Sequence, residues 1–319
     1  MTVLTPIVET AHYLPAGGED LLAVVTEPTS PARGAGVVIV SGGRYGNTGG
    51  RNGVARRLAH ALASAGFHSV RLDYHGVGDS TGSLDEFVLH EPFVDDLGAG
   101  VTVLHQHGVE RIGALGDCFG ARTALAACAA DGGIATLLLV SLPWRDLARR
   151  DRKAHLVSSE LTVADYARRG LRLGTLGKLR HADQRRGLAR LVAAKGRELS
   201  RRVTDRVGRV QVEPWVSRRV MDQLETVNSA GIPTLVIYGR GPAEDYTHNF
   251  ERIREMPALR WLSAPGGSVQ ARVLDQPIAG FRNVVSQDEV VRLAAEWFGD
   301  TLPADPEERS WTSRGVTRR

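Results

Sequence analysis

Cysteine, methionine and aromatic residues are scarce in this 319-residue chain: two Cys, three Met and 6% Phe, Trp and Tyr. The two cysteines, Cys118 and Cys128, sit ten positions apart on what reads as one strand–turn–helix unit. That spacing suits neither a disulfide framework nor a metal site, so reduced thiols are expected. No apolar run approaches the length of a bilayer span, TLLLVSLPW being far too short, so no membrane span is expected. The opening stretch MTVLTPIVETAHYLP has no basic segment followed by an apolar one, so no secretory leader is expected and the cytoplasm is the expected compartment. No GxGxxG follows a first strand and no His/Cys cluster occurs, so no metal, flavin or nucleotide cofactor is expected. There is no internal repeat.

Charge is present but unevenly spread. The net charge is only +4, yet residues 145–220 hold 21 Lys+Arg against 8 Asp+Glu, which leaves the rest of the chain acidic on balance. This marks a separate element. Basic amphipathic helices such as RRGLARLVAAKGRELSRRV are read either as a solvated face or as a surface for an anionic partner. A nucleic-acid partner is not expected: helix-turn-helix, zinc and single-strand signatures are missing, and few aromatics interleave the charges.

The remaining pattern alternates strand and helix. PIVETAHYL and DLLAVVTEP read as an antiparallel pair joined by PAGGED. GVVIVSGG (36–43) is a continuous apolar run, as expected of a buried parallel strand. RNGVARRLAHALASAG reads as a helix with a Gly stop, FHSVRLDYHGVGDSTG as a strand and Gly-rich loop, and EPFVDDLGAGVTVLHQHG as a helix. RIGALG, FGARTALAACAADGG and ATLLLVSLP follow as strand, helix and strand. Residues 144–229 contain no convincing strand and read as a basic helical insertion after the sixth strand. IPTLVIYGRG then resumes a buried strand, with THNFERIREM a helix, ALRWLSAP a strand and SQDEVVRLAAEWFGD a closing helix. The tail, 301–319, is polar and Pro-containing and is expected to be disordered. The expected fold class is α/β, with a mostly parallel eight-stranded sheet and helices on both faces. Residues 1–143 and 230–300 form the expected core, and 144–229 a lid.

The chemistry centres on Gly-Asp-Cys-Phe-Gly, residues 116–120. A nucleophile at a sharp strand-to-helix turn needs flanking glycines so that the next helix can pass close to the sheet. The helix N-terminus then favours negative charge on the sulfur or on a developing oxyanion. The competing reading makes Cys118 a small apolar core residue, which is the expectation for Cys128.

With the turn in this context the chain resembles the α/β-hydrolase superfamily, over roughly residues 20–300. VSGGRYGN resembles that family's first oxyanion loop, LDYHGVGDSTG (72–82) its D-x-x-G-x-G-x-S segment, and LVIYGRGPAED (235–245) the strand and loop presenting a triad acid. The resemblance implies Cys118 as nucleophile, of the dienelactone hydrolase or thioesterase-like type. It implies an oxyanion hole from the amides of Phe119 and of Gly43 or Arg44, and Asp245 as orienting acid, with Asp117 and Glu244 as weaker candidates. Ser41, Arg44, Tyr45 and Trp144 are candidate substrate contacts. His75, Asp73 and Asp79 are expected to stabilise their own loop.

One triad position departs from the family. In VLDQPIAGFRNVVSQDEVV, Ala279 stands where the resemblance implies His, before Gly280 and Phe281, and no His follows His248. Three readings stay open: a substitution that inactivates an enzyme, service by another histidine such as His248, or a protein that has lost hydrolysis. The expected function is acyl transfer or hydrolysis of an ester or thioester through an acyl-Cys118 intermediate, including release or cyclisation of an acyl or polyketide chain. An acidic acyl carrier protein or coenzyme A would meet the basic lid. The alternative is an altered member of the family that binds an acyl ligand or partner without turnover.

Overall fold

Eight short strands assemble one sheet, in the order β1-β2-β4-β3-β5-β6-β7-β8. The computed structural model describes residues 6–29, 32–42, 48–84, 88–130, 132–146, 216–240 and 267–303. The chain divides into two units, Met1–Asp146 with Trp215–Arg319, and Leu147–Pro214. The second lies outside the described residues.

β1 (Glu9–Ala16) and β2 (Glu19–Thr26) form an antiparallel hairpin, and β2 pairs antiparallel with β4 (His68–Leu72). The hairpin turns at Gly17 and Gly18, both at positive φ, as a tight two-residue connection requires. β3 (Ala35–Val40), β5 (Arg111–Asp117), β6 (Ile134–Val140) and β7 (Thr234–Gly239) run parallel beside β4. All six residues of β3 and of β7 are buried, because helices cover both faces of a parallel sheet.

Side-chain alternation divides the helices between those faces. Val37 and Ile39 of β3 join Leu58 and Leu62 of α1 (Val54–Ser64) and Leu293 and Phe298 of α5 (Val284–Thr301) in one core. On the opposite face, a Cβ added to Gly100 of α2 (Val94–Gln106) would lie 2.9 Å from a methyl of Val38. α3 (Phe119–Ala129) and α4 (Arg218–Ser229) complete that layer, packed against each other.

The structure revises three expected boundaries. The eighth strand is β8 (Val269–Leu274), parallel to β7 at the sheet edge. Its exposed Gln270 and Arg272 interrupt the apolar signal, as befits an edge. The strand and helix expected at 258–265 and 247–256 lie outside the described residues. The described ends of the segment expected as a lid belong to the core: Trp144 is fully buried, the Ser217 amide donates to its carbonyl at 2.7 Å, and α4 packs on α3. The apolar stripe Val220, Leu224 and Val227 on α4 explains that docking. The rest of the expected lid lies outside the described residues. α5 continues through Thr301, and Leu302 is buried, so the expected tail is ordered at its start; residues 304–319 are not described.

Candidate active site

β3 and β5 are neighbours, yet the helices that follow them, α1 and α3, leave to opposite faces of the sheet. A sheet opens at its carboxyl edge where this divergence occurs, and such crevices are where ligands bind in α/β folds. Cys118 stands there, one residue beyond β5 and directly before α3. Its backbone has φ 50° and ψ −109°, outside the regions an L-residue prefers. The turn is enforced on both sides. Its amide donates to the Val140 carbonyl at 2.9 Å, extending the β5–β6 ladder, while its carbonyl accepts from the amides of Ala121 and Arg122 in the first turn of α3.

The flanking glycines permit the approach. A Cβ on Gly116 would sit 2.2 Å from the Gly120 carbonyl oxygen, and one on Gly120 would sit 2.2 Å from the Val40 oxygen. The third strand's exit is equally close: a Cβ on Gly42 would lie 2.9 Å from the Asp117 carbonyl oxygen, from its Oδ2 and from Cys118 Cβ. Cys118 is partly exposed, whereas Cys128 is buried in α3 with its sulfur 3.8 Å from the Ile134 carbonyl, as expected of a core thiol.

Four non-glycine residues have left-handed φ among the described residues, and they gather around this edge: Asn52, Cys118, Ser141 and Phe281. Ser141 follows β6, and its amide donates to Ile237 at 2.8 Å, so it stands beside Cys118 in the ladder. Asn52 Nδ2 donates to the carbonyls of Gly280 and Phe281, each at 3.0 Å. This clamp holds the turn Ala279–Phe281, the slot where the resemblance implies His. Arg51 lies against Gly280, and with Ser41, Gly42, Asp117 and Phe281 it lines a narrow cleft beside the elbow. Sparsely populated backbone conformations concentrate where a structure holds side chains for function.

Behind the elbow, the rings of Tyr74, Phe93 and Phe119 pack edge to face at 4.8–5.6 Å. Tyr74 is fully buried and its phenol pKa is pushed up by loss of hydration. His75 packs on Phe93, while its amide and Nδ1 both reach the buried Asp96 carboxylate at 2.9 Å. Burial raises the Asp96 pKa, and these His75 contacts oppose the rise. His75 thus serves its loop. Asp73 accepts from the Asp79 amide at 3.3 Å; the Asp79 side chain is exposed.

Arg122, one turn along α3 from Cys118, is only 2% exposed. Its guanidinium donates to the Leu89 carbonyl at 3.0 Å, to Pro143 at 3.2 Å, and to the Asp146 carboxylate. Burial lowers its pKa, while attraction to Asp146 and to ionised Cys118 opposes that shift. The helix that follows Cys118 therefore carries a buried guanidinium in its first turn, paired with Asp146.

The remaining expected site residues fall as follows. Trp144 is a core residue and does not line the cleft: its indole N–H donates to the Tyr238 hydroxyl at 2.6 Å. The indole is fully buried, and the Tyr238 hydroxyl of β7, itself donating to the Leu142 carbonyl, satisfies its N–H there. Phe119 is buried, directly after Cys118. Gly43, Arg44, Tyr45, Glu244, Asp245 and His248 lie outside the described residues. Sequence reasoning missed Arg51, Asn52, Asp96, Arg122 and Ser141. A usable signal existed for Arg122, a lone charge in an otherwise apolar helix four residues after the elbow Cys.

A family model described as alpha/beta hydrolase fold matches residues 37–254, and the chain belongs to that family. A comparison with curated protein sequences gives no match. Among solved structures, the chain is similar to an esterase from Pyrococcus furiosus (TM-score 0.56, 16% identity, 93% of this chain and 92% of that one). It is also similar to a proline iminopeptidase from Mycobacterium smegmatis (TM-score 0.55, 18% identity, 92% and 99%). A third is Est1E from Butyrivibrio proteoclasticus with ferulic acid bound (TM-score 0.52, 14% identity, 92% and 99%). At these identities the likeness is one of fold.

Proposed function

We propose that this protein is an acyl-transfer or hydrolytic enzyme that attacks an ester or thioester with Cys118 and carries the acyl group on that sulfur. The carrying observation is the backbone at Cys118, φ 50° and ψ −109°, locked between Gly116 and Gly120 at the sheet's switch point. A strained turn of this kind costs of order 1–3 kcal/mol and persists only where surrounding structure over-determines it. It presents the thiol on the first turn of α3, whose N-terminal dipole favours a thiolate and a developing oxyanion. The Phe119 amide, with one from the Gly43–Arg44 stretch, is the donor pair this reading assigns to the oxyanion. Asp245 is the orienting acid it assigns. The excess positive charge of residues 145–220 supports an anionic acyl donor, such as an acyl carrier protein or coenzyme A thioester.

A second reading, ligand binding without turnover, is favoured by one observation: Ala279 opens the turn that Asn52 clamps, where the resemblance implies His. One experiment separates the two. The protein is incubated with p-nitrophenyl acetate and weighed intact, beside C118A. A single acetyl adduct that C118A lacks supports the covalent reading. An unmodified mass with p-nitrophenol release no faster than that of C118A overturns it.

A further inference from the structure

Building on the covalent reading above, we propose that this site moves an acyl group from one thiol to another: the donor is a thioester, the acceptor is a thiol, and Arg122 positions Cys118 as the anion that passes the acyl group between them.

The proposal follows from which proton transfers the site can perform. Expelling an alkoxide from a tetrahedral intermediate calls for a general acid, because a thiolate is the better leaving group and the intermediate otherwise collapses back. Expelling a thiolate calls for none. The slot implied for His carries Ala279. Of the described histidines, His75 pairs with Asp96 and His90 with Glu91, and the others belong to β1, β4, α1, α2 and the residue that caps α2. What the first turn after the elbow does carry is a buried guanidinium, ion-paired with the half-exposed Asp146. Arg122 follows Cys118 by one helical turn, is buried, and is anchored to two carbonyls and Asp146, so it cannot swing away. A buried cation and a helix N-terminus hold a sulfur anionic without a base.

The chemistry balances without an oxidant, reductant or metal. The Cys118 thiolate adds to the thioester carbonyl carbon, and the π pair moves to oxygen. That pair returns as the bond to the donor sulfur breaks, and the donor leaves as a thiolate. An acceptor thiol gives its proton to water, attacks the acyl-Cys118 carbonyl and expels the Cys118 thiolate. The departing donor takes up one proton for the one the acceptor released.

The test uses the full-length protein with S-acetyl-N-acetylcysteamine and its oxygen counterpart, O-acetyl-N-acetylethanolamine. Acetylation of Cys118 is followed by intact mass, and discharge is followed with and without deuterated N-acetylcysteamine. The thioester should acetylate at least about 100-fold faster, the lower end of what a general acid supplies to the oxygen ester. Added thiol should discharge the adduct faster than water and incorporate deuterium into the thioester. R122Q should move the pH midpoint of Cys118 alkylation upward by about half a unit or more, whereas R122K keeps it. Should R122Q not fold, the substrate comparison on the unaltered protein decides alone. Equal rates from the two donors, discharge indifferent to thiol, or loss of exchange in H248A overturns the proposal. Acetylation by p-nitrophenyl acetate with no thioester preference removes only this inference, whereas no acetylation from any donor removes the covalent reading beneath it.

Discussion

Replacing Gly116 by Ala tests the elbow more directly than replacing the sulfur, because it perturbs the backbone and leaves the nucleophile in place. The new Cβ would stand 2.2 Å from the Gly120 oxygen, 2.3 Å from its carbonyl carbon and 2.5 Å from the Ala121 nitrogen. Real Cβ contacts do not fall below 3.0 Å, so α3 must retreat by nearly an ångström. No flexible side chain can yield, since all three obstacles are backbone atoms. Overpacking of this kind costs about 1–3 kcal/mol and more when backbone must move, so G116A is expected to lose about 3 kcal/mol. The matched control is Gly98 in α2, where an added Cβ meets nothing within 4 Å. G98A should gain about 0.5–1 kcal/mol from helix propensity alone. Denaturant melts of both variants measure the difference, and alkylation of Cys118 reports the displacement of the turn. At roughly 2–4 °C per kcal/mol for a domain of this class, G116A should melt some 6 °C or more below the parent. If G116A and G98A melt together and Cys118 alkylates at the parental rate, the tight strand–helix approach is not what shapes the site.

Two further outcomes are expected. N52A removes two hydrogen bonds to the 280–281 carbonyls and keeps a left-handed φ without the side chain that tolerates it, at a cost of about 2–4 kcal/mol. N52G should cost less, because only the hydrogen bonds are lost; equal thermal melts for N52A and the parent would refute the clamp. His68 has its pKa lowered by burial and then by the neighbouring His107, with Glu27 opposing. A histidine depressed in the folded state contributes stability above its ordinary value near 6.5, and that stability drains as pH falls through 6.5 toward the folded value. Chemical denaturation at pH 8 and pH 5.5 should show a smaller acid loss for H68Q than for the parent, and identical losses would remove His68 from the account.

Much of the fold was readable from local pattern. The six-residue run of β3, the helical stripe of α1 and the glycine pair around Cys118 each carry their signal within a few residues. Steric demands at a turn are local demands, and Gly116 and Gly120 answer them whatever the rest of the chain does. β8 was harder to read. Its polar alternation makes sense only once β7 pairs with one side and, among the described residues, no strand pairs with the other.

Sequence alone therefore settled the α/β rhythm and the bend at Cys118, because backbone sterics and hydrophobic periodicity act over short spans. Tertiary structure decided what surrounds that bend. Asn52 meets Gly280 across 228 positions of chain, Arg122 meets Pro143 across 21, and Trp144 turns inward to Tyr238 across 94. Such partners are chosen by the packing of distant segments, for which the order of residues carries no local mark.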